Sequence, residues 1–229
     1  WKLDRRGRVF IVEEMARPLA ATTAPATATG LVDGTLAPVD QTFLLHSKPG
    51  AQRTIYLNFK GATLTGTGWN SNGNTLTALP FDLDGIPYSF STAELQRIQG
   101  IWQRVAEDFS PFDVDVTTEA PTPDKLTRSG TSDAVYGTTV LITSTVGVYN
   151  CSCGGVAYLG VFDEIGDQYK PALVFYNMLG AGNEKFVAEA ASHEAGHNMG
   201  LGHDGNAGSD YDTGHGSGCR HRIGLHKVA

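Results

Sequence analysis

Residues 193–204 bring together side chains that bind metals and one that moves protons. They read H-E-x-x-H-x-x-G-x-x-H-D. Residues four apart lie on one face of a helix, so His193 and His197 can offer two imidazoles to one metal ion. Gly200 can adopt the left-handed conformation that ends a helix, which lets the chain bring His203 to the same ion. Three protein ligands leave one coordination position open, as in catalytic zinc sites.

Glu194 follows the first histidine and lies within reach of a water held on that ion. We expect neutral ring nitrogens of the three histidines to hold Zn²⁺, which lowers the pKa of the water toward neutrality. Glu194 would take the proton of this water as general base and give it to the leaving amine as general acid. The pattern therefore predicts that Glu194 is catalytic and that His193, His197 and His203 are metal ligands.

The extended pattern also indicates a family. H-x-x-x-H alone is common on helix surfaces, whereas this pattern fixes five residues at set spacing and is a metzincin signature. The chain resembles the metzincin zinc endopeptidases, and Asp204 makes it most similar to the adamalysin (reprolysin) branch or a bacterial secreted relative. The resemblance implies a protein or peptide substrate. It also implies that Asp204 is a buried hydrogen-bond acceptor beneath the site, with a solvated surface carboxylate as the alternative.

The bulk composition is that of an ordinary globular protein. The chain has 229 residues, 41% hydrophobic and 18% charged, with a formal net charge of −7. This balance indicates no basic face for nucleic acid, and no apolar run is long enough to span a bilayer. Few charges and 28 glycines suit a secreted protein. We therefore expect an extracellular protein, with the oligomeric state open and a monomer favoured.

The cysteines Cys151, Cys153 and Cys219 are an odd number, so at least one is unpaired within the chain or bonded elsewhere. The C-S-C pair lacks a second motif that would complete a four-ligand zinc site. We expect a structural loop here, with Cys151 or Cys153 in a disulfide if the protein is extracellular.

Hydrophobic periodicity predicts five strands and two long helices. The first helix follows a capping box at residues 91–94 and buries one face, and the active-site helix begins near Glu184. The strands cover residues 54–59, 113–117, 139–143, 154–161 and 172–176. We expect Asp113 and Asp115 on the solvated face of their strand. This order resembles the upper subdomain of metzincins, which implies an α+β, zincin-like fold with a twisted mixed sheet of about five strands.

The resemblance also implies where substrate binds. In metzincins the strand before the last one forms the edge of the cleft, and substrate pairs with it as an added antiparallel strand. By order this is the strand at residues 155–161, with Gly155, Val156, Ala157 and Tyr158 as substrate-binding residues. Backbone pairing of this kind gives affinity for extended peptides of varied sequence. An ordinary inner strand is the alternative.

Two regions differ from the middle of the chain. We interpret residues 1–40 as a propeptide remnant and linker, with one short strand at residues 9–12. The resemblance implies that many family members block the zinc with a propeptide cysteine, but no cysteine precedes Cys151 in this sequence. Latency, if it exists, uses another group or a missing segment.

We interpret residues 41–229 as the catalytic domain, with a short or truncated C-terminal part. Metzincins carry a methionine in a turn beneath the zinc, but no methionine follows His203. A trimmed product, a reading-frame change near Gly218 and a divergent short member are all open explanations.

Two weaker alternatives remain. A catalytically incomplete zinc-binding or adhesion module would keep the fold, although such a module needs no general base like Glu194. Residues 81–85 read F-D-L-D-G, which is similar to a fragment of a Ca²⁺ loop, but as a turn the segment needs no metal.

Overall fold

All five predicted strands are present in one mixed sheet. The computed structural model describes residues 1–14, 36–70, 73–203 and 225–227. The strands are β1 Lys2–Leu3, β2 Val9–Glu14, β3 Arg53–Asn58, β4 Ala62–Leu64, β5 Leu76–Ala78, β6 Val114–Thr117, β7 Tyr136–Thr143, β8 Cys153–Tyr158, β9 Ala172–Phe175, β10 Leu201–His203 and β11 Leu225–Lys227. The helices are α1 Thr92–Asp108, α2 Pro123–Leu126 and α3 Glu184–Asn198. The predicted α+β class with an amphipathic helix and an active-site helix is confirmed.

The main sheet has seven strands in the order β1-β2-β8-β9-β7-β3-β6. Strands β6, β3, β7 and β9 pair in parallel, whereas β8 is antiparallel to β9 and β2 is antiparallel to β8. The other two strands of this sheet are β1 and β2 from the N-terminal segment. Strand β2 contains the short strand predicted at residues 9–12, but its place in this sheet was not expected. The continuous apolar run of β7 is explained by its central place, where Val140, Leu141 and Ile142 are fully buried.

Helices α1 and α3 pack against each other, and α3 also contacts β7, β8 and β9. Helix α1 begins with the predicted capping box, in which Ser91 and Glu94 exchange hydrogen bonds. Its buried residues Ile98, Ile101 and Val105 lie in one apolar core with the buried face of α3. Within the described ranges, no helix is both long and apolar enough to cross a membrane.

Asp115 corrects one expectation from the sequence. Asp113 is exposed, as predicted, but Asp115 is buried. The chain before β3 covers this part of β6, so that His46 Nδ1 lies 2.6 Å from Asp115 Oδ2 and the Lys48 N–H donates to Asp115 Oδ1. The alternation of polar and apolar residues along β6 could not predict that Asp115 is buried. The segment that covers Asp115 lies about 70 residues earlier in the chain.

Candidate metal site

Helix α3 presents the first two histidines and the glutamate of the pattern. Its N-terminus is capped by Asn183, whose side chain accepts a hydrogen bond from the Phe186 N–H. Near its other end, His193, Glu194 and His197 are all buried. Polar side chains are costly to bury unless they are paired, hydrogen-bonded or bound to a metal. This end of α3 therefore needs polar partners.

Gly200 turns the chain back after α3. Its φ of 87° is left-handed, and its N–H donates to the His197 carbonyl oxygen at 2.9 Å. Strand β10 then brings His203 to the helix, with its Nε2 atom 3.2 Å from Nε2 of His193. The structure thus gathers all three predicted ligands.

The three imidazoles converge on one carboxylate oxygen, which belongs to Glu13 of β2. Glu13 Oε1 lies 2.9 Å from His193 Nε2, 3.2 Å from His197 Nε2 and 2.6 Å from His203 Nε2. These four atoms form one group that could hold a metal ion. Ligand atoms about 2.0–2.1 Å from a tetrahedral zinc lie roughly 3.3 Å apart. The donor atoms are therefore as close together as one small cation requires.

The tautomer of His197 tests whether a cation fits. His197 Nδ1 lies 2.7 Å from the carbonyl oxygen of Leu201, which can only accept, so Nδ1 carries the proton. In the neutral ring Nε2 then has a lone pair facing the Glu13 carboxylate. The His197 Nε2 atom and the Glu13 oxygen are then both electron-pair donors, so a cation between them would be bound by both. The hydrogen bond from Nδ1 to the Leu201 carbonyl oxygen is the kind of contact that orients metal-binding histidines.

Charge and burial shift the pKa values of these groups. Burial lowers the pKa of His193, which favours the neutral imidazole that binds metals. Burial by itself would raise the pKa of Glu13, but its close contacts with the imidazoles of His193, His197 and His203 outweigh burial and lower the pKa. A metal-free site therefore tends to keep an ionised Glu13 beside its histidines.

Glu194 is the buried acid beside this group. Its side chain is fully buried, and neither carboxylate oxygen has a hydrogen-bond partner among the described residues. Burial, followed by the nearby charge of Glu13, raises its pKa well above the ordinary value. A buried carboxylic acid without a protein partner can exchange a proton with a molecule that enters the site.

Gly155 of β8 makes room for Glu194. A Cβ atom at Gly155 would lie 2.7 Å from both Cδ and Cγ of Glu194. Any side chain larger than glycine would therefore push the Glu194 carboxylate away from its place.

The other predicted substrate-binding residues also lie on β8. The side chains of Val156, Ala157 and Tyr158 are buried, so only their backbone groups could pair with a peptide. In this structure those positions face β2, in the register Phe10↔Tyr158, Ile11↔Ala157 and Val12↔Val156. Strand β8 is thus an inner strand here, and it becomes an edge only if β2 leaves.

Asn198, which gave no functional signal in the sequence, connects the end of α3 to the sheet. Its side-chain amide donates to the Tyr158 carbonyl oxygen at 2.9 Å and accepts from Thr138 Oγ1 at 2.6 Å. The backbone carbonyl of Asn198 accepts a hydrogen bond from the Phe162 N–H. These bonds hold the metal-site end of α3 against β7, β8 and the loop after β8.

Glu13 is the site residue that sequence reasoning missed. The only signal was the short apolar run before it, which predicted a strand without indicating its neighbour. Asp204 lies outside the described residues, so its predicted role stays a prediction. The same is true of most of the interpreted linker, because residues 15–35 are outside the described ranges.

The possible calcium segment forms a turn. The carboxylates of Asp82, Asp84 and Glu94 lie close enough together to hold a cation. However, all three accept backbone hydrogen bonds: Asp82 from Gly85, Asp84 from Ile86 and Glu94 from Leu83. The turn and the start of α1 account for this cluster.

The two neighbouring cysteines pair with each other. Cys151 and Cys153 form a disulfide immediately before and at the start of β8. The sequence had favoured one of them in a disulfide without identifying the partner. Cys219 lies outside the described residues.

Comparison with known proteins identifies one family. Residues 112–204 match the model of the reprolysin-like metallopeptidases of family M12B. Neither the curated proteins nor the solved structures contain a match to this chain. The matched segment runs from the start of β6 through the three histidines to Asp204, and so contains β8 and all of α3.

Proposed function

The chain is a reprolysin-like metzincin over residues 112–204, and on that premise we propose that it is a zinc-dependent endopeptidase. One observation carries the proposal: three histidine Nε2 atoms converge on a single point, beside the buried carboxyl group of Glu194. Three imidazoles are a donor set typical of catalytic zinc. A module that only binds or adheres would need no unpaired acid at this place.

In the proposed peptide hydrolysis, the zinc ion would activate the water and Glu194 would transfer the proton. A zinc ion held by His193, His197 and His203 would lower the pKa of a bound water and polarise the scissile carbonyl group. Glu194 would accept the proton of the attacking water and deliver it to the leaving amine. Its raised pKa suits this exchange, because burial makes the carboxyl group hold a proton more readily after it has taken one from water.

The proposed substrate is an extended peptide added to the sheet at β8. The backbone of β8 offers hydrogen bonds on the side now taken by β2, and such pairing binds peptides of varied sequence. We also propose that the protein acts outside the cell, which the Cys151–Cys153 disulfide supports because disulfides persist in oxidising compartments.

Metal removal tests the proposal. Cleavage of an unfolded protein substrate would be followed for the natural chain and for Glu13→Gln, since Glu13 lies against all three imidazoles. We expect a chelator to abolish cleavage and zinc to restore it, with about one zinc bound per loaded chain. Cleavage that survives chelation would contradict the proposal. Full zinc binding without cleavage in either chain would favour the incomplete binding module.

Gly155→Ala should lower the cleavage rate by about 10²-fold, because displacing a catalytic group by an ångström can cost that much. The new methyl group would meet Glu194, whereas the histidines and their metal affinity should be unaffected. Rates and bound zinc would be measured beside Gly130→Ala, where a Cβ meets nothing within 4 Å. If Gly155→Ala cleaves as fast as its parent, Glu194 does not work from the place seen here.

A further inference from the structure

We propose that Glu13 is the fourth ligand of a closed, latent metal centre and that β2 holds the place of the substrate. This inference rests on the proposed function and adds its regulation. It would give the chain a latency that depends on a glutamate.

Strand β2 lies where a substrate is expected. It pairs antiparallel with β8, the direction that the resemblance implies for a peptide substrate. On its other side β8 pairs with β9, so β2 takes the whole free side of β8. A peptide and β2 therefore cannot pair with β8 at the same time.

The backbone of β2 is irregular at the residue that meets the histidines. Pairing is regular from Phe10 to Val12, and the register shifts between Val12 and Glu14, where Glu13 lies. Irregularities of this kind bend a strand and re-aim a side chain. Here the result is that one Glu13 oxygen reaches all three Nε2 atoms, at 2.6–3.2 Å.

The position of that oxygen determines what it blocks. A three-histidine zinc site keeps its fourth position for water or substrate, and Glu13 Oε1 lies 2.6–3.2 Å from the three ring nitrogens, close to the separation of two ligands on one zinc ion. Carboxylate oxygens are good zinc ligands. Glu13 would therefore close the position that Glu194 needs open, since Glu194 has to take a proton from water there.

The segment that carries Glu13 is anchored along its length. Ile11 is 1% exposed, and Phe10 packs against Trp69 and Tyr158. Arg8 forms an ion pair with Glu164 in the loop after β8. These contacts hold β2 in the cleft together with the contact from Glu13 to the histidines, so loss of that contact shifts the equilibrium towards a released β2 and a free side of β8.

The test compares access to the metal in the full chain. Natural protein, Glu13→Gln and Glu13→Ala would be loaded with Co²⁺ and titrated with acetohydroxamate, while the visible spectrum reports binding to the ion. Glu189→Gln is the matched control, the same change at a glutamate of α3 that pairs with Lys185. Zinc affinity by competition with a chromophoric chelator and cleavage of an unfolded protein would be measured on the same samples.

We expect both Glu13 variants to bind acetohydroxamate at least about 10-fold more tightly than the natural chain and to lose about 10-fold or more in zinc affinity. Their cleavage rates should rise at least about 10-fold, and Glu189→Gln should match the natural chain. Equal hydroxamate and zinc affinities in natural and Glu13 chains would overturn the closure. If Glu13 chains gain hydroxamate access but no chain cleaves, the closure stands and the peptidase proposal fails. If all chains cleave and bind alike, the peptidase stands and the closure is wrong.

Discussion

Changing Glu194 to Ala is expected to lower the rate of peptide cleavage by roughly 10³-fold while the chain keeps its zinc. Glu194 is the only group of the H-E-x-x-H pattern assigned to proton transfer, and no described residue donates to its carboxylate oxygens. Glu194→Gln should be equally inactive, because an amide keeps the size of the side chain but cannot accept the proton.

The measurement uses Glu13→Gln as the parent chain, with cleavage rate, bound zinc and urea unfolding followed on each sample. Glu189→Ala is the matched control, since Glu189 lies on the same helix and pairs with Lys185 at the surface. Removing a buried carboxyl group without a partner should leave the free energy of unfolding unchanged or higher. A Glu194→Ala chain that cleaves at the rate of the control would remove Glu194 from the mechanism.

Changing His197 to Ala is expected to weaken zinc binding by roughly 10²- to 10³-fold, since structural zinc sites bind with about 10–16 kcal/mol shared among four ligands. His197 is fully buried and held in one tautomer by the Leu201 carbonyl oxygen. Cleavage should be lost together with the metal.

Chelator competition would give the zinc affinity of His197→Ala beside His46→Ala. His46 is a histidine outside the site, bound to Asp115 and Glu119, so its loss should leave the zinc affinity unchanged. If both variants bind zinc as the natural chain does, the three-histidine assignment is wrong. Loss of affinity in both would point to general unfolding, which the urea curves of the same samples would reveal.

The sequence by itself determined the parts of this protein that depend on local spacing. Two histidines four apart on a helix share a face whatever the rest of the chain does, and Gly200 can turn the chain because it lacks a Cβ. The capping box before α1 and the apolar run of β7 are likewise local signals. These features predicted the two long helices, five of the seven strands of the main sheet, and the three histidines with Glu194.

Only the tertiary structure decided which distant groups meet. Glu13 contacts histidines 184 and 190 residues further along the chain, and nothing near Glu13 in sequence indicates that neighbour. Strand pairing is made by backbone hydrogen bonds that every residue carries, so the apolar run of β2 could predict a strand but not its place beside β8. The burial of Asp115 and the role of Asn198 could not be predicted either, because both depend on residues far away in the sequence. Spacing along the chain thus identified the three histidines, while the order of strands in the sheet brought the carboxylate of Glu13 into contact with them.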